Sequence, residues 1–320
     1  MMVSMAALLT MLYKFLAASA SRHIWNRLRA CSALSVLVVL TPALWAQNAE
    51  SIRWTPEKLT NGSPCLFTVR APENTTLITG SWQKHPLVFF HTLQNPEAWY
   101  ALAGVDVAAE PGDYEVSIEV TRHGDRTTLH RTIHIASAPY KEIPLTVPEK
   151  FVQPGAEAQK IIAADQEIKR KVFAYSAPAP LWNEQFSSPL RSAPSTDSFG
   201  TRRVFNGSLA SVHRGLDYRA KPGTPVKAVN AGTVVLARPL YYEGNCVIID
   251  HGLGLMTIYM HLSKFNVKQG QHVKGGQLIA LSGSTGRATG PHLHLSIRWQ
   301  GEYLDPARLF SMQLPIPAHP

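Results

Sequence analysis

The chain has 320 residues, of which 45% are hydrophobic and 17% are charged, and its formal net charge is +9. This composition is typical of a globular protein and excludes a disordered or fibrous chain. The length allows two ordinary domains, each with its own core. The basic charge favours an anionic partner such as a cell wall or a membrane surface. Nucleic acid is not expected as a partner, because the sequence contains neither a basic run nor an RNA-binding motif.

Residues 1–46 have the pattern of an export signal. Three arginines between positions 22 and 29 precede an apolar stretch at 33–44, and cleavage is expected after Ala46. The apolar residues 1–20 leave a second interpretation open, in which the segment is an uncleaved membrane anchor. We therefore expect an exported protein of the periplasm or cell envelope, either anchored or secreted.

Residues 51–138 alternate short strand patterns with turn signals such as Asn61-Gly62. The clearest pattern is 114–120, where every second residue is apolar, as in a half-buried strand. This region is predicted to be an immunoglobulin-like β-sandwich. Its five histidines are scattered, so no active-site cluster is expected there. The other strands predicted in it are Leu66–Val69, Leu87–Phe90 and Thr127–Ile135.

Residues 139–180 are predicted to be a linker that contains one helix. The stretch 139–154 is rich in proline, whereas 155–172 has apolar residues near helical spacing. The next stretch, 174–198, contains four prolines and is expected to form a loop along the C-terminal domain.

Residues 181–312 are predicted to be an antiparallel β domain, because glycine is frequent and helical spacing is scarce. The proline-rich residues 313–320 are predicted to be a loose tail. The expected fold class is therefore all-β, with a sandwich, a short linker helix and a C-terminal β domain. The strand candidates in that domain are Thr224–Val235, Cys246–Asp250, Met256–Tyr259, Gly276–Ala280 and Leu293–Arg298.

Three motifs in the C-terminal third contain the ligand types of a zinc site. They are H-R-G-L-D, which begins at His213, Y-M-H-L-S around His261, and G-P-H-L-H around His292 and His294. His292 and His294 are two residues apart in a strand pattern, which places both imidazoles on one face. His213, Asp217 and His294 would supply three ligands and leave a fourth position for water. That arrangement is typical of a catalytic zinc site and not of a structural one.

The run from Phe199 to Phe310 resembles the lysostaphin-type (LytM-like) zinc endopeptidases of bacterial cell walls. The resemblance rests on an ordered set of motifs that covers about a third of the chain. The motifs are F-G-T-R-R at Phe199, H-R-G-L-D-Y at His213, A-x-x-G-x-V at Ala228, G-N-x-V-x-I-D-H-G at Gly244, Y-M-H-L-S at Tyr259 and T-G-P-H-L-H at Thr289.

The resemblance implies that residues 181–312 are a zinc metallopeptidase domain that cuts peptide cross-links of peptidoglycan. It implies one Zn²⁺ per chain, held by His213, Asp217 and His294. His261 and His292 match the family's remaining active-site histidines. They are expected to orient or deprotonate a water molecule and to stabilise the oxyanion. Which of the two is the base stays open.

Other functions remain open at this point. One is a catalytically silent protein of the same fold that binds the wall or activates an amidase, although the five intact site residues favour an enzyme. Another is a carrier-like barrel, because the hairpin that begins at Val267 resembles those of lipoyl and biotinyl domains.

The module at 51–138 is expected to be a surface module, and an inhibitory pro-region is the alternative. The bond that is cut, in a glycine bridge or a D-amino-acid cross-link, also stays open.

Overall fold

The computed structural model describes residues 51–71, 74–145, 154–191, 194–197, 199–205 and 209–317. The predicted export segment therefore lies outside the described residues. The described chain is mostly β-strand and contains two helices, α1 (Ala156–Phe173) and α2 (Pro306–Ser311). The prediction of an all-β protein is confirmed. None of the helices in these ranges is both long and apolar enough to cross a membrane.

The N-terminal part consists of two β-sheets that share one core. Its strands are β1 (Ser51–Thr55), β2 (Leu59–Thr60), β3 (Pro64–Arg70), β4 (Thr75–Trp82), β5 (His85–Val88), β6 (Phe90–His91), β7 (Ala98–Gly104), β8 (Gly112–Arg122) and β9 (Asp125–Ala136). One sheet has the order β1-β3-β7-β6 and the other β2-β9-β8-β4-β5. Phe67 of β3 meets Trp82 of β4 edge to face, with ring centroids 5.4 Å apart. This is a two-sheet sandwich, and its immunoglobulin type stays a prediction.

The period of two explains the core of the sandwich. Val116, Ile118 and Val120 of β8 are buried, while the residues between them are partly exposed. The indole N–H of Trp82 donates to the carbonyl of Gly104 at 2.8 Å. A buried tryptophan usually finds such a partner, so the ring adds packing without an unpaired polar atom.

The linker packs on the C-terminal domain. Its strand β10 (Glu142–Leu145) pairs in parallel with β12 (Arg202–Phe205), and β12 pairs with β13 (Leu209–Val212). Helix α1 begins one residue after the predicted start, and its apolar side contacts a small buried cluster. That cluster comprises Leu236, Leu240, Cys246, Ile248, Met256 and Ile258.

The C-terminal part is a ten-stranded sheet. Its strands are β11 (Ser195–Asp197), β14 (Leu216–Arg219), β15 (Pro225–Lys227), β16 (Gly232–Leu240), β17 (Gly244–Asp250), β18 (Leu255–Phe265), β19 (His272–Val273), β20 (Leu278–Ser282), β21 (His292–Trp299) and β22 (Glu302–Leu304). The main order is β11-β14-β21-β18-β17-β16-β19. All its pairings are antiparallel, as predicted.

The sandwich contacts the end of the C-terminal sheet, and the described residues belong to one compact unit. The amide of Tyr303 donates to the Asp106 carboxylate at 2.7 Å. The amide of Asp305 donates to the carbonyl of Gly62 at 2.8 Å. The domain boundaries drawn from the sequence stay predictions.

The C-terminal residues are packed as far as the structure describes them, which differs from the predicted loose tail. Leu314 is buried. Its amide donates to the Gln185 side chain at 2.9 Å, and its carbonyl accepts from the same side chain at 2.9 Å. The indole of Trp182 donates to the carbonyl of Pro315 at 3.2 Å. A paired backbone and a buried leucine explain why prolines here do not produce a free end.

Gly104 allows a close approach between the sandwich and the C-terminal sheet. A methyl group added there would overlap the Leu304 side chain, which is fully buried and cannot move aside. We expect Gly104→Ala to destabilise the protein by about 1–3 kcal/mol through overpacking. Thermal unfolding should show a Tm lower by several degrees. Gly290→Ala is the control, because an added methyl meets no atom within 4 Å. An equal Tm for the two variants would contradict the packing described.

Candidate metal centre

Strand register brings the predicted site residues together. Strand β21 lies between β14 and β18, so that Asp217 and Met260 both pair with His294. His213 begins the short connection between β13 and β14, and His261 directly follows Met260. Neighbouring strands lie only about 4.8 Å apart. Three distant segments therefore meet at one end of β21.

Three polar atoms converge at this point. Asp217 Oδ1 lies 2.8 Å from His294 Nδ1 and 3.1 Å from His213 Nε2, and the two nitrogens are 3.0 Å apart. All three residues are buried. Hydrogen bonds alone satisfy this triangle poorly, because two N–H groups that donate to the same oxygen bring their protons close together. Ligand atoms of a tetrahedral zinc ion with bonds near 2.0–2.1 Å lie about 3.3 Å apart. The donor set therefore fits a zinc ion.

The protonation of this group suits a metal. Burial alone would raise the pKa of the Asp217 carboxyl, but hydrogen bonds from His213 and His294 outweigh it and hold that pKa well below its usual range. Burial lowers the pKa of His294. A carboxylate beside neutral imidazole is the deprotonated state that metal binding requires.

Two further residues orient the ligands. The Nε2 of His294 lies 2.8 Å from Ser296 Oγ, so with Nδ1 facing the metal position Nε2–H donates to the hydroxyl. Arg203 donates to Asp217 Oδ2 at 2.8 Å, which leaves Oδ1 for the centre. The sequence reasoning missed both. Ser296 is two residues beyond His294 and shares its face, so the period of two could have found it. Arg203 comes from a different sheet. It is the last residue of the F-G-T-R-R motif, but that motif by itself assigns no role to it.

A β-bulge aims His261. Asn245 of β17 pairs with Leu262 and Val247 with Tyr259, so β18 has two residues where β17 has one. This extra residue of β18 forms the bulge. His261 has a φ of 61°, in the left-handed region that non-glycine residues seldom adopt. Its amide donates to the Glu243 carbonyl at 2.8 Å, and its Nδ1 donates to the Thr285 carbonyl at 2.8 Å. Since a carbonyl only accepts, Nδ1 carries a proton, and in the neutral ring Nε2 therefore carries none.

His261 and His292 form a pair beside the three buried ligands. Their ring centroids are 4.7 Å apart. Burial lowers the pKa of His261 to about 3, with smaller contributions from the charges of His292 and His294. His292 is less buried, and its Nδ1 donates to the Gly290 carbonyl at 2.8 Å. His261 therefore presents an unprotonated Nε2 at neutral pH, able to accept a proton or a hydrogen bond. The carbonyl that holds the His292 ring engages Nδ1 and leaves Nε2 on the other side of the ring.

The centre lies in a groove of about 1000 Å³. Its walls come from the C-terminal part and from the linker, through Ile143 of β10 and Lys169 of α1. No described residue of the sandwich lines the groove. The five predicted residues all line it, while their division into metal ligands and catalytic histidines stays a prediction.

Helix α1 supports the turn beside His261. The Asp165 carboxylate is buried and accepts from the amide of Tyr241 at 2.7 Å. Lys169 forms an ion pair with Glu243, the residue whose carbonyl receives the His261 amide. The linker is therefore a part of the site's framework.

Comparison with known proteins agrees with the site. Residues 211–306 match the model of Peptidase family M23. Over 89 residues the chain is 52% identical to the peptidoglycan DD-endopeptidase ShyA of Vibrio cholerae, covering 28% of this chain and 21% of that protein. Over 106 residues it is 44% identical to the DD-carboxypeptidase/endopeptidase Mpg of Neisseria meningitidis, covering 33% and 24%. The resemblance seen in the motifs is confirmed.

Among solved structures, a Pseudomonas aeruginosa protein assigned to peptidase M23 superposes with a TM-score of 0.61 at 26% identity. The superposition covers 79% of this chain and 95% of that one, so it extends well beyond the residues that match the family model. By contrast, the chain spans about a quarter or less of the length of the two curated relatives above.

The contact between Ser296 and His294 predicts a measurable effect on metal binding. We expect Ser296→Ala to weaken zinc affinity by about 10–100-fold, the usual cost of losing a partner that orients a ligand. Competition with a chromophoric chelator measures it. Ser311→Ala on α2 is the matched control, because that exposed hydroxyl donates to the Arg308 carbonyl and is not among the residues that line the groove. Equal affinities for the two variants would show that Ser296 does not orient a ligand.

Proposed function

We propose that this chain, whose residues 211–306 form a domain of Peptidase family M23, is an exported zinc metalloendopeptidase that hydrolyses peptide cross-links of peptidoglycan. The observation that carries the proposal is the convergence of Asp217, His213 and His294 within 3.1 Å at the base of an open groove. The names of the two relatives described above support the choice of substrate.

His213, Asp217 and His294 would hold one zinc ion per chain. A bound zinc ion would supply Lewis-acid polarisation of the scissile carbonyl and would lower the pKa of water to about 7. Arg203 and Ser296 keep the carboxylate and the imidazole turned towards the ion. The ligand set has three protein members, which leaves room for water and substrate.

His261 and His292 would handle the protons. Each donates Nδ1–H to a backbone carbonyl, which fixes the ring and leaves Nε2 to accept. One of them orients or takes the proton of the attacking water, and the other, once protonated, stabilises the oxyanion and can return a proton to the leaving amine. The distance of 3.8 Å between His292 Nε2 and Asp217 Oδ1 keeps this histidine beside the ligands and outside the buried triangle.

Export is the part of the proposal that rests on sequence alone. The charged and apolar pattern of residues 22–46 favours passage across a membrane. Peptidoglycan lies outside the cytoplasmic membrane, so the substrate and the signal agree. Whether the segment is cleaved or retained as an anchor is a separate matter of processing.

The alternative is a silent protein of the same fold that binds the wall or activates an amidase. The complete set of five polar residues around one groove argues against it. A protein without a reaction to perform would not need two fixed histidines beside a ligand triangle.

Hydrolysis of purified cell walls tests the enzyme. We expect the zinc-loaded mature chain to release cross-linked muropeptides as monomers, and His261→Ala to lower the rate by about 10²–10⁴-fold, as for loss of a proton-transfer group. Mass spectrometry of the muropeptides provides the measurement. His272→Ala is the matched control, because His272 is exposed on β19 outside the residues that line the groove. Identical digests from the wild type and His261→Ala would refute the proposed hydrolytic activity and favour the catalytically silent protein.

Metal analysis tests the division of roles. We expect one zinc per chain in the wild type and in His261→Ala, and a loss of at least 100-fold in affinity for His294→Ala, because the latter removes a ligand. Elemental analysis after dialysis gives the stoichiometry. If His261→Ala lost zinc as completely as His294→Ala, the assignment of His261 as a catalytic residue would be wrong.

A further inference from the structure

A second cavity, of about 400 Å³, adjoins the catalytic groove. It lies between α1 and the face of the sheet formed by β17 and β18, and it is lined by Phe173 of the helix and by Ile248 and Ile258 of the strands. Arg214 and Met260 line both the cavity and the groove. The two spaces are therefore neighbours. Because Arg214 follows His213 and Met260 precedes His261, the end of the cavity that these two residues line opens beside the metal centre.

Two arginines that line this cavity stack on aromatic rings. The Cζ of Arg214 lies 5.0 Å from the ring centroid of Tyr303, and the Cζ of Arg298 lies 4.1 Å from that of Phe173. Cation–π contact holds a guanidinium flat and reduces the rotamer entropy that binding would otherwise cost. Its N–H groups remain available to donate two parallel hydrogen bonds to a planar anion at the edge of the guanidinium.

Of the four cations that line the cavity, two form ion pairs with glutamates. Lys169 pairs with Glu243, and Arg170 pairs with Glu167. Within the described residues neither Arg214 nor Arg298 has a carboxylate within ion-pair distance. Glu302, whose charge acts on Arg298, is hydrogen-bonded to His85 at 2.8 Å. Two cations without an ionic partner thus share one cavity.

Burial makes this arrangement costly for Arg298. The half-buried guanidinium loses part of its hydration, and burial lowers its pKa. An anion that entered the cavity would offset this loss. A carboxylate fits the fork of an arginine with two parallel hydrogen bonds, whereas a neutral amide cannot match both the charge and the geometry.

We propose that Arg214 and Arg298 form a subsite for a free carboxylate on the cross-linked peptide beside the scissile bond. This inference rests on the proposed function and specifies its substrate: among cross-linked peptides, one that carries a free carboxylate is preferred over its amidated form. Arg214 and Arg298 act as specificity residues and do not take part in proton transfer or metal binding.

The test compares two synthetic cross-linked peptide dimers that differ in one group. One carries a free carboxylate on the residue that follows the scissile D-amino-acid bond, and the other carries the corresponding amide. We expect the wild type to cleave the carboxylate form with a kcat/KM about 10–100-fold higher, as is usual for a hydrogen-bonded charge. Arg214→Gln and Arg298→Gln should each reduce that preference at least 5-fold, mainly through KM, with zinc content unchanged.

Arg170→Gln is the matched control, because Arg170 lines the same cavity but is paired with Glu167 on the exposed side of α1. It should keep the preference for the carboxylate dimer. If the wild type cleaves both dimers equally well, or if the glutamine variants slow both to the same extent, the subsite is refuted while the peptidase stands.

A binding measurement separates the two proposals. Calorimetric titration of zinc-loaded His261→Ala with the same dimers reports recognition without turnover. Tighter binding of the carboxylate dimer by at least 10-fold, lost in the double variants with Arg214→Gln or Arg298→Gln, supports the subsite even if the wild type cleaves neither dimer. That combined result would overturn the proposed hydrolysis and keep the inference about the ligand. Equal binding of both dimers would overturn the subsite.

Discussion

The rest of the site depends on three polar atoms that meet within 3.1 Å in a buried position, from Asp217, His213 and His294. Such a triangle is costly without a cation, because two imidazole nitrogens compete for one carboxylate oxygen in a region of low dielectric. The backbone pairing of β21 with β14 on one side and β18 on the other holds these side chains together despite that cost. Arg203 and Ser296 then fix the remaining atoms of the carboxylate and the ring.

The five polar residues were predictable because their signals are local. A spacing of two places His292 and His294 on one strand face, and the ordered motifs link that strand to His213, Asp217 and His261. The bulge that turns His261 was not predictable, because it arises from the register of β17 against β18. Strand boundaries show the same limit. The single strand expected at Leu87–Phe90 is two short strands in different sheets, and that expected at Thr224–Val235 is broken between β15 and β16.

The linker helix shows how a segment with little chemistry of its own can matter to a site. Its sequence indicated a helix near 155–172, but nothing in its spacing revealed the partner of Asp165, a buried acid on a mainly exposed helix. The structure pairs that carboxylate with the amide of Tyr241 and brings Lys169 to Glu243. The turn that receives the His261 amide is thereby tied to α1. A catalytic unit that begins at residue 181 would lack these contacts, although it would contain every candidate site residue.

His292 and His294 share a face of one strand, yet their neighbours give them different environments. His294 has Asp217 on one flank and Met260 on the other, so its ring is enclosed and faces the ligand triangle. His292 pairs with Arg219 at the first position of β21, beyond the last pairing with β18. Its ring therefore remains partly open to the groove. Periodicity determines which side of a strand a residue occupies, but the length of the neighbouring strand determines whether that side is enclosed. This difference favours metal binding for His294 and proton transfer for His292.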